Sequence, residues 1–174
     1  MGTRHLTFVK LNGEYKVAQY GQWDGYPEGQ GVTVLEFIRN NQHKDKLESF
    51  KEKVQLCRWI SETEKASINA DIRSGKVNLE RDYPWLWRDA GAEVLEMIRK
   101  SESGLMLLNG FEFAFDHIFC EYIWGVDLDN NIFGAYVGDD EMHDVKPVKT
   151  WVIGFAPSKD EFLSAFDETE SEEE

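Results

Sequence analysis

Two apolar, β-prone runs, RHLTFVKL and EYKVAQYGQ, flank Asn12-Gly13. Both turn residues tolerate positive φ, so the pattern predicts a β-hairpin closed by a type I′ turn. A loop of glycines and aromatics, WDGYPEGQG, follows, and Thr33 with Glu36 then has the spacing of a capping box over Leu35, Phe37 and Ile38. Residues 44–60 place Leu47, Phe50, Val54 and Cys57 at helical spacing, with Leu56 and Ile60 on the flank. That is one buried stripe on an amphipathic helix. Ser61 and Glu64 repeat the capping-box spacing and open a more polar helix, which closes near Ser74-Gly75. Pro84 suits the first turn of a further helix through Leu86, Ala90, Val94, Leu95 and Ile98 to Lys100, with Gly91 in its middle.

Beyond residue 104 the period shortens. LMLLN, FEFAF and HIFCEYIWGVDL read as strands, then a turn at Asp129-Asn130-Asn131, then IFGAYVG and TWVIGFA. Pro157, Ser158 and Glu161 start a short last helix through Phe166. The order is two strands, four helices, four or five strands and one helix. Strands at both ends of the chain predict an α+β fold, with the hairpin joining the later strands in one mostly antiparallel sheet packed by four to five helices.

Composition adds bounds. A chain of 174 residues, 41% hydrophobic and 13% aromatic, is one domain's worth of core. Residues 1–166 are expected to form that domain and 167–174, DETESEEE, a disordered acidic tail. No apolar run approaches the roughly 20 residues of a membrane span. The N-terminus lacks a secretory pattern, and Leu6 stands where a myristoylation signal needs Ser or Thr, so the expectation is a cytoplasmic protein. Cys57 and Cys120, without CxxC spacing, read as two free buried thiols. The net charge of −14, about −8 of it on the first 166 residues, argues against direct binding to nucleic acid or an anionic membrane. It suits a basic protein partner or plain solubility.

Candidate chemistry concentrates in Tyr20–Gly31. Four glycines let a ligand approach the main chain, Trp23 and Tyr26 can stack on a planar ring, and Gln22 and Asp24 can bond its edge. The stretch ends at a helix N-terminus, where free N–H groups favour an anion. Tight strand-to-helix turns use the same residue types, so core packing of these aromatics is the competing reading. Neither GxGxxG nor GxxxxGK[ST] is present. His117 and Glu121 beside Cys120 sketch a nucleophile set, but strand alternation would put His117 and Cys120 on opposite faces. DLDNN has Ile132 and Gly138 where a calcium loop needs Gly and Glu, and DDEMHD reads as a solvated loop, so no metal is expected. Removal of Met1 would expose Gly2, which is no N-terminal nucleophile.

YGQWDGYPEGQG together with FCEYIWGVDLDNNIFGAYVG resembles a widespread group of proteins without assigned activity, found in phages, bacteria and fungi. The resemblance runs from Arg4 to about Gly138. It implies weight for these two segments without naming a chemistry, and a phage association would imply a role in countering host defence.

The favoured expectation is a non-enzymatic binding module for a small planar ligand, a nucleotide being the anionic example. Its ligand-binding residues would be Arg4, Tyr20, Gln22, Trp23, Asp24, Tyr26, Gln30 and Glu121, with no cofactor. The alternatives are an acidic inhibitor seated in a basic groove of a nucleic-acid-handling or defence protein, and a small hydrolase or transferase. After Phe166 the tail offers no apolar anchor. A chain ending at Asp167 is therefore expected to keep its melting temperature within about one or two degrees in a thermal melt, and loss of cooperative unfolding would show that the tail docks.

Overall fold

The computed structural model describes residues 2–170. β1 (His5–Leu11) and β2 (Glu14–Gly21) form the expected hairpin, with Asn12 at φ 54° and Gly13 at φ 75°. A single π-type turn, Pro27–Gly31, leads into α1 (Val32–Asn41) and then α2 (Lys44–Gln55). A two-residue strand β3 (Arg58–Trp59) precedes α3 (Glu62–Arg73) and the short α4 (Leu79–Asp82). α5 (Val94–Lys100) is followed by β4 (Met106–Leu107), which pairs with β3 in a separate small ribbon. β5 (Tyr122–Asp127), β6 (Ile132–Asp139) and β7 (Asp144–Val152) form a meander, and α6 (Lys159–Glu170) ends the described chain.

The main sheet has the order β2-β1-β5-β6-β7. Every pairing is antiparallel except the junction, where β1 runs parallel to β5 with His5 opposite Tyr122 and Lys10 opposite Asp127. The α+β architecture is therefore the one expected, and the single parallel pair joins the two ends of the chain. Alternation along β1 sorts its side chains. His5, Thr7, Val9 and Leu11 face the helices, whereas Leu6 and Phe8 face away. The helical face buries Val9, Val17, Trp124, Val126 and Phe133 against Leu35, Phe50, Leu95 and Phe162. On the other face, Leu6, Phe8, Ile123 and Tyr136 are roofed by a 3₁₀ turn, Phe111–Phe115. Each large side chain fully removed from water contributes roughly 1.5–3 kcal/mol, so both faces hold the sheet.

Several elements differ from the sequence reading, each for a local reason. FEFAF is the 3₁₀ roof rather than a strand; Phe111 stacks on Tyr15 and packs edge-on to Phe115. HIFCE is a turn, because the Asp116 carbonyl accepts the N–H groups of Phe119 and Cys120, and the strand starts only at Tyr122. LMLLN yields two strand residues, and TWVIGFA supplies only the end of β7, which already begins at Asp144. The long helix from Pro84 breaks into two short turns, Pro84–Leu86 and Gly91–Glu93, since Gly91 sits at φ 51°. Thr33 caps nothing: α1 starts one residue earlier, and the Thr33 hydroxyl donates to the Gly29 carbonyl. The Ser61/Glu64 box is present in full, and the Ser158 hydroxyl accepts the Glu161 N–H at 3.2 Å. α6 continues to Glu170 and takes in the first four residues assigned to the tail; residues 171–174 lie outside those described. Among the described residues no helix is long and apolar enough to cross a membrane.

The two turns at one end of the sheet are locked together. The Asp129 carboxylate accepts the main-chain N–H of Asn12 at 2.7 Å and of Gly13 at 2.8 Å. Asp127 in turn accepts the N–H groups of Asp129 and Asn130, fixing the carboxylate's approach. Asp129→Ala should therefore lower stability by about 1–2 kcal/mol, as loss of charge-assisted hydrogen bonds does. Urea unfolding measures this, and an unchanged midpoint would mean the clamp adds nothing to pairing.

Candidate functional site

The opposite end of the sheet gathers most of the residues that the sequence singled out. β1 starts there, β2 ends there, β5 starts there and β6 turns into β7 there. The Gly/aromatic loop leaves β2 and crosses this end before entering the turn at Pro27. Three hydrogen bonds pin its backbone and a fourth fixes the Gln30 side chain. Gly25 N–H donates to the Thr3 carbonyl at 2.9 Å, and the buried Trp124 indole N–H donates to the Gly25 carbonyl at 2.7 Å. Gln30 N–H donates to the Asp24 carbonyl at 2.7 Å, and the Gln30 side-chain oxygen accepts the Ala92 N–H at 2.9 Å. Asp24 holds φ 59°, a left-handed conformation that Asp adopts more readily than most residues.

Above this rigid floor the aromatic side chains stand out. Trp23 is 46% exposed and Tyr26 39%, so neither is a core anchor. The Tyr26 hydroxyl donates to Asp24 Oδ1 at 3.0 Å, and that hydrogen bond to a carboxylate raises the pKa of the phenol. Tyr20 lies lower on the face away from the helices, edge-on to Phe113, with its hydroxyl donating to Gln22 Oε1. Arg4 lies with its guanidinium 4.8 Å above the Phe119 ring, and its carbonyl accepts the Glu121 N–H at 3.1 Å. The Glu121 side chain is exposed. Of the eight expected residues, Asp24 and Tyr26 form one hydrogen-bonded unit, Tyr20 and Gln22 a second, and Arg4 and Glu121 adjoin at the start of β1. Gln30 points inward instead and fixes the 91–93 turn.

The N-terminal N–H groups expected to hold an anion are already engaged. Tyr26 and Asp24 carbonyls accept from Gly29, Gln30 and Gly31, and Asp24 and Glu28 add negative charge beside them. Phosphate recognition at this helix start loses its donors.

Sequence reasoning missed His5. It is fully buried on the helical face directly under the loop, and glycines surround it. A methyl group built at Gly21 would lie 2.0 Å from His5 Nε2; one at Gly91 would lie 2.8 Å from Cε1, and one at Gly25 2.9 Å from Cβ. Neither ring nitrogen makes a hydrogen bond of full geometry, although the Trp23 main chain lies close enough to favour the charged ring, and the nearby buried atoms Thr7 Oγ1 and Gln19 Oε1 lack partners as well. Burial lowers the His5 pKa from 6.5 to about 4, and the main chain of Trp23 and the Asp24 carboxylate oppose this without offsetting it. The available signal was a polar residue on the apolar side of a central strand, facing glycine on its neighbour.

The nucleophile set does not assemble. Cys120 is half-buried in the 116–121 turn, and burial, with Asp116 and Glu121 adding to it, pushes its thiol up to about 12. His117 turns away to Asp140, 2.9 Å from its carboxylate. Among the described residues no group of three or more His, Cys, Asp or Glu side chains could hold a metal ion. A groove of about 780 Å³ opens elsewhere, between Leu56, Arg58, Trp85, Met97, Lys100 and Gly104, and includes none of the expected residues. Comparison with family models, curated proteins and solved structures finds no match, so the site stands on its own geometry.

His5 makes a pH prediction. A histidine whose folded pKa lies below its unfolded value is protonated first in the unfolded chain. Its contribution is complete above about pH 6.5 and is lost as pH falls toward 4, by up to about 3 kcal/mol. Denaturant melts of the parent and His5→Gln between pH 7 and 4.5 should show a smaller loss of stability in the variant. Equal slopes would mean that His5 takes up its proton as readily in the folded chain as in the unfolded one, so that its burial leaves the pKa unshifted.

Proposed function

We propose that this chain is a recognition module whose loop 20–31 holds a planar, neutral or positively charged group. The group would stack on Trp23 and Tyr26 and bond to the Asp24 carboxylate. The observation that supports this is the contrast between a backbone pinned from below and two large aromatics left in water above it. Such an arrangement has already met the conformational cost of ordering its binding groups. The engaged helix N–H groups and the acids Asp24 and Glu28 turn the preference away from phosphate. A guanidinium or an uncharged nucleobase fits instead.

Magnitudes limit the ligand. Stacking is worth about 0.5–1.5 kcal/mol and an exposed cation–π contact about 0.5–1 kcal/mol. Even with a charge-assisted hydrogen bond, the total is near the roughly 4 kcal/mol of a millimolar complex. The loop therefore reads a group presented on something larger more effectively than a free small molecule.

The test is an NMR titration with arginine amide, adenosine and AMP as probes. Arginine amide and adenosine should shift the Trp23 indole and Tyr26 ring signals at millimolar concentration, with AMP no tighter than adenosine. Trp23→Ala should abolish the shift at Tyr26 while lowering stability far less than the 3–5 kcal/mol of a buried aromatic. Absence of any shift at Trp23 from all three probes would reject the reading.

A further inference from the structure

We propose that the 116–121 and 139–143 turns form a docking surface for a protein partner whose face is basic and studded with apolar side chains. This surface is separate from the aromatic loop and needs neither Trp23 nor Tyr26. Both turns lie at the end of the sheet where β5 begins and β6 ends, and two cross-ties hold the β6–β7 turn against the segment before β5. His117 Nε2 lies 2.9 Å from Asp140, and His143 Nε2 lies 3.0 Å from Glu112. The His143 ring also stacks on Phe115 at 4.3 Å. Each turn is further closed on itself. Asp116 accepts the N–H groups of Ile118 and Phe119, and Asp139 accepts those of Glu141 and Met142.

Rigid turns of this kind could carry polar residues at their tips. These carry Ile118, 81% exposed, Met142, 75% exposed, and Phe119, 48% exposed. Isolated apolar residues on a surface need no explanation, but these three stand on two turns that the His117–Asp140 contact ties together, and apolar side chains exposed on neighbouring turns mark interaction sites when they act together. The charge around them selects the occupant. Glu112, Asp116, Glu121, Asp140 and Glu141 stand around the patch. The Arg4 guanidinium lies on Phe119, and Lys146 is drawn to Asp139 at 3.7 Å. Carboxylates repel nucleic-acid phosphate and anionic lipid alike. A partner presenting Lys or Arg around an apolar side chain matches both the centre and the rim, the usual anatomy of a specific interface. Methionine suits such a centre because its flexible thioether adapts to the partner's shape.

The test compares two peptides of equal positive charge with the full chain: one with Lys and Leu at helical spacing, the other with Ser in place of Leu. The Lys/Leu peptide should bind at least about tenfold more tightly, with methyl shifts at Ile118 and Met142, and added salt should weaken both. In the Ile118→Ser, Met142→Ser double variant, which should melt like the parent because both side chains are exposed, that difference should vanish. Trp23→Ala should keep the difference, which separates this surface from the aromatic loop. The proposal is overturned if the two peptides bind the parent equally, which would reduce the attraction to diffuse net charge. It is also overturned if the double variant keeps its preference for the Lys/Leu peptide.

Discussion

The parallel pairing of β1 with β5 is the constraint on which the rest of the molecule depends. It inserts the amino-terminal hairpin beside a meander more than a hundred residues away and makes β1 the interior strand between them. Because the two strands run the same way, their ends sort cleanly. The Asn12–Gly13 turn and the 128–131 turn meet at one end, where Asp129 ties them. The exit of β2, the entry to β5 and the β6–β7 turn meet at the far end. An antiparallel junction would have scattered these loops over both ends, and the aromatic loop would have lost the floor that Trp124 provides from β5.

That floor is made from glycine as much as from tryptophan. At Gly21, Gly25 and Gly91 the missing side chains leave room for one imidazole, and the main chain closes over it. Close packing around an unpartnered polar ring is an unusual use of a buried position, since a polar group without a hydrogen bond destabilises the fold. Gly91 is held at a positive φ in the turn that covers this ring, and the N–H of the next residue, Ala92, donates to the Gln30 side-chain oxygen. The loop above is consequently an extension of the core and not an independent excursion.

What the sequence made legible was local. Asn12-Gly13 and the Ser61/Glu64 box are decided by residues within a few positions of one another, and both appear in the structure. FEFAF misled because three phenylalanines at alternate positions satisfy a strand pattern, whereas a 3₁₀ roof can use the same three rings against Tyr15 and the sheet's outer face. The first part of β7 was illegible because DVKPVK, with Pro147 and two lysines, reads as a loop, and a sheet edge tolerates those residues. The loop's aromatics were legible as candidates, but their exposure was decided by contacts 99 residues apart in the chain, between Gly25 and Trp124. His5 was invisible for the same reason, since its significance comes from Gly91 and from a pairing register.

The two borders of the sheet have a consequence for recognition. Along β2, the chain covers its own border: Asn109 bridges Ala18, and Gly110 donates to the Ala18 carbonyl. Along β7, Pro147 lacks an N–H group, and Lys146 and Lys149 place charge on the strand. Both devices discourage another strand from extending the sheet by main-chain pairing. Backbone-templated association, which is indifferent to sequence, is thereby suppressed. Contact with another chain along these borders would have to rest on side chains rather than on backbone hydrogen bonds.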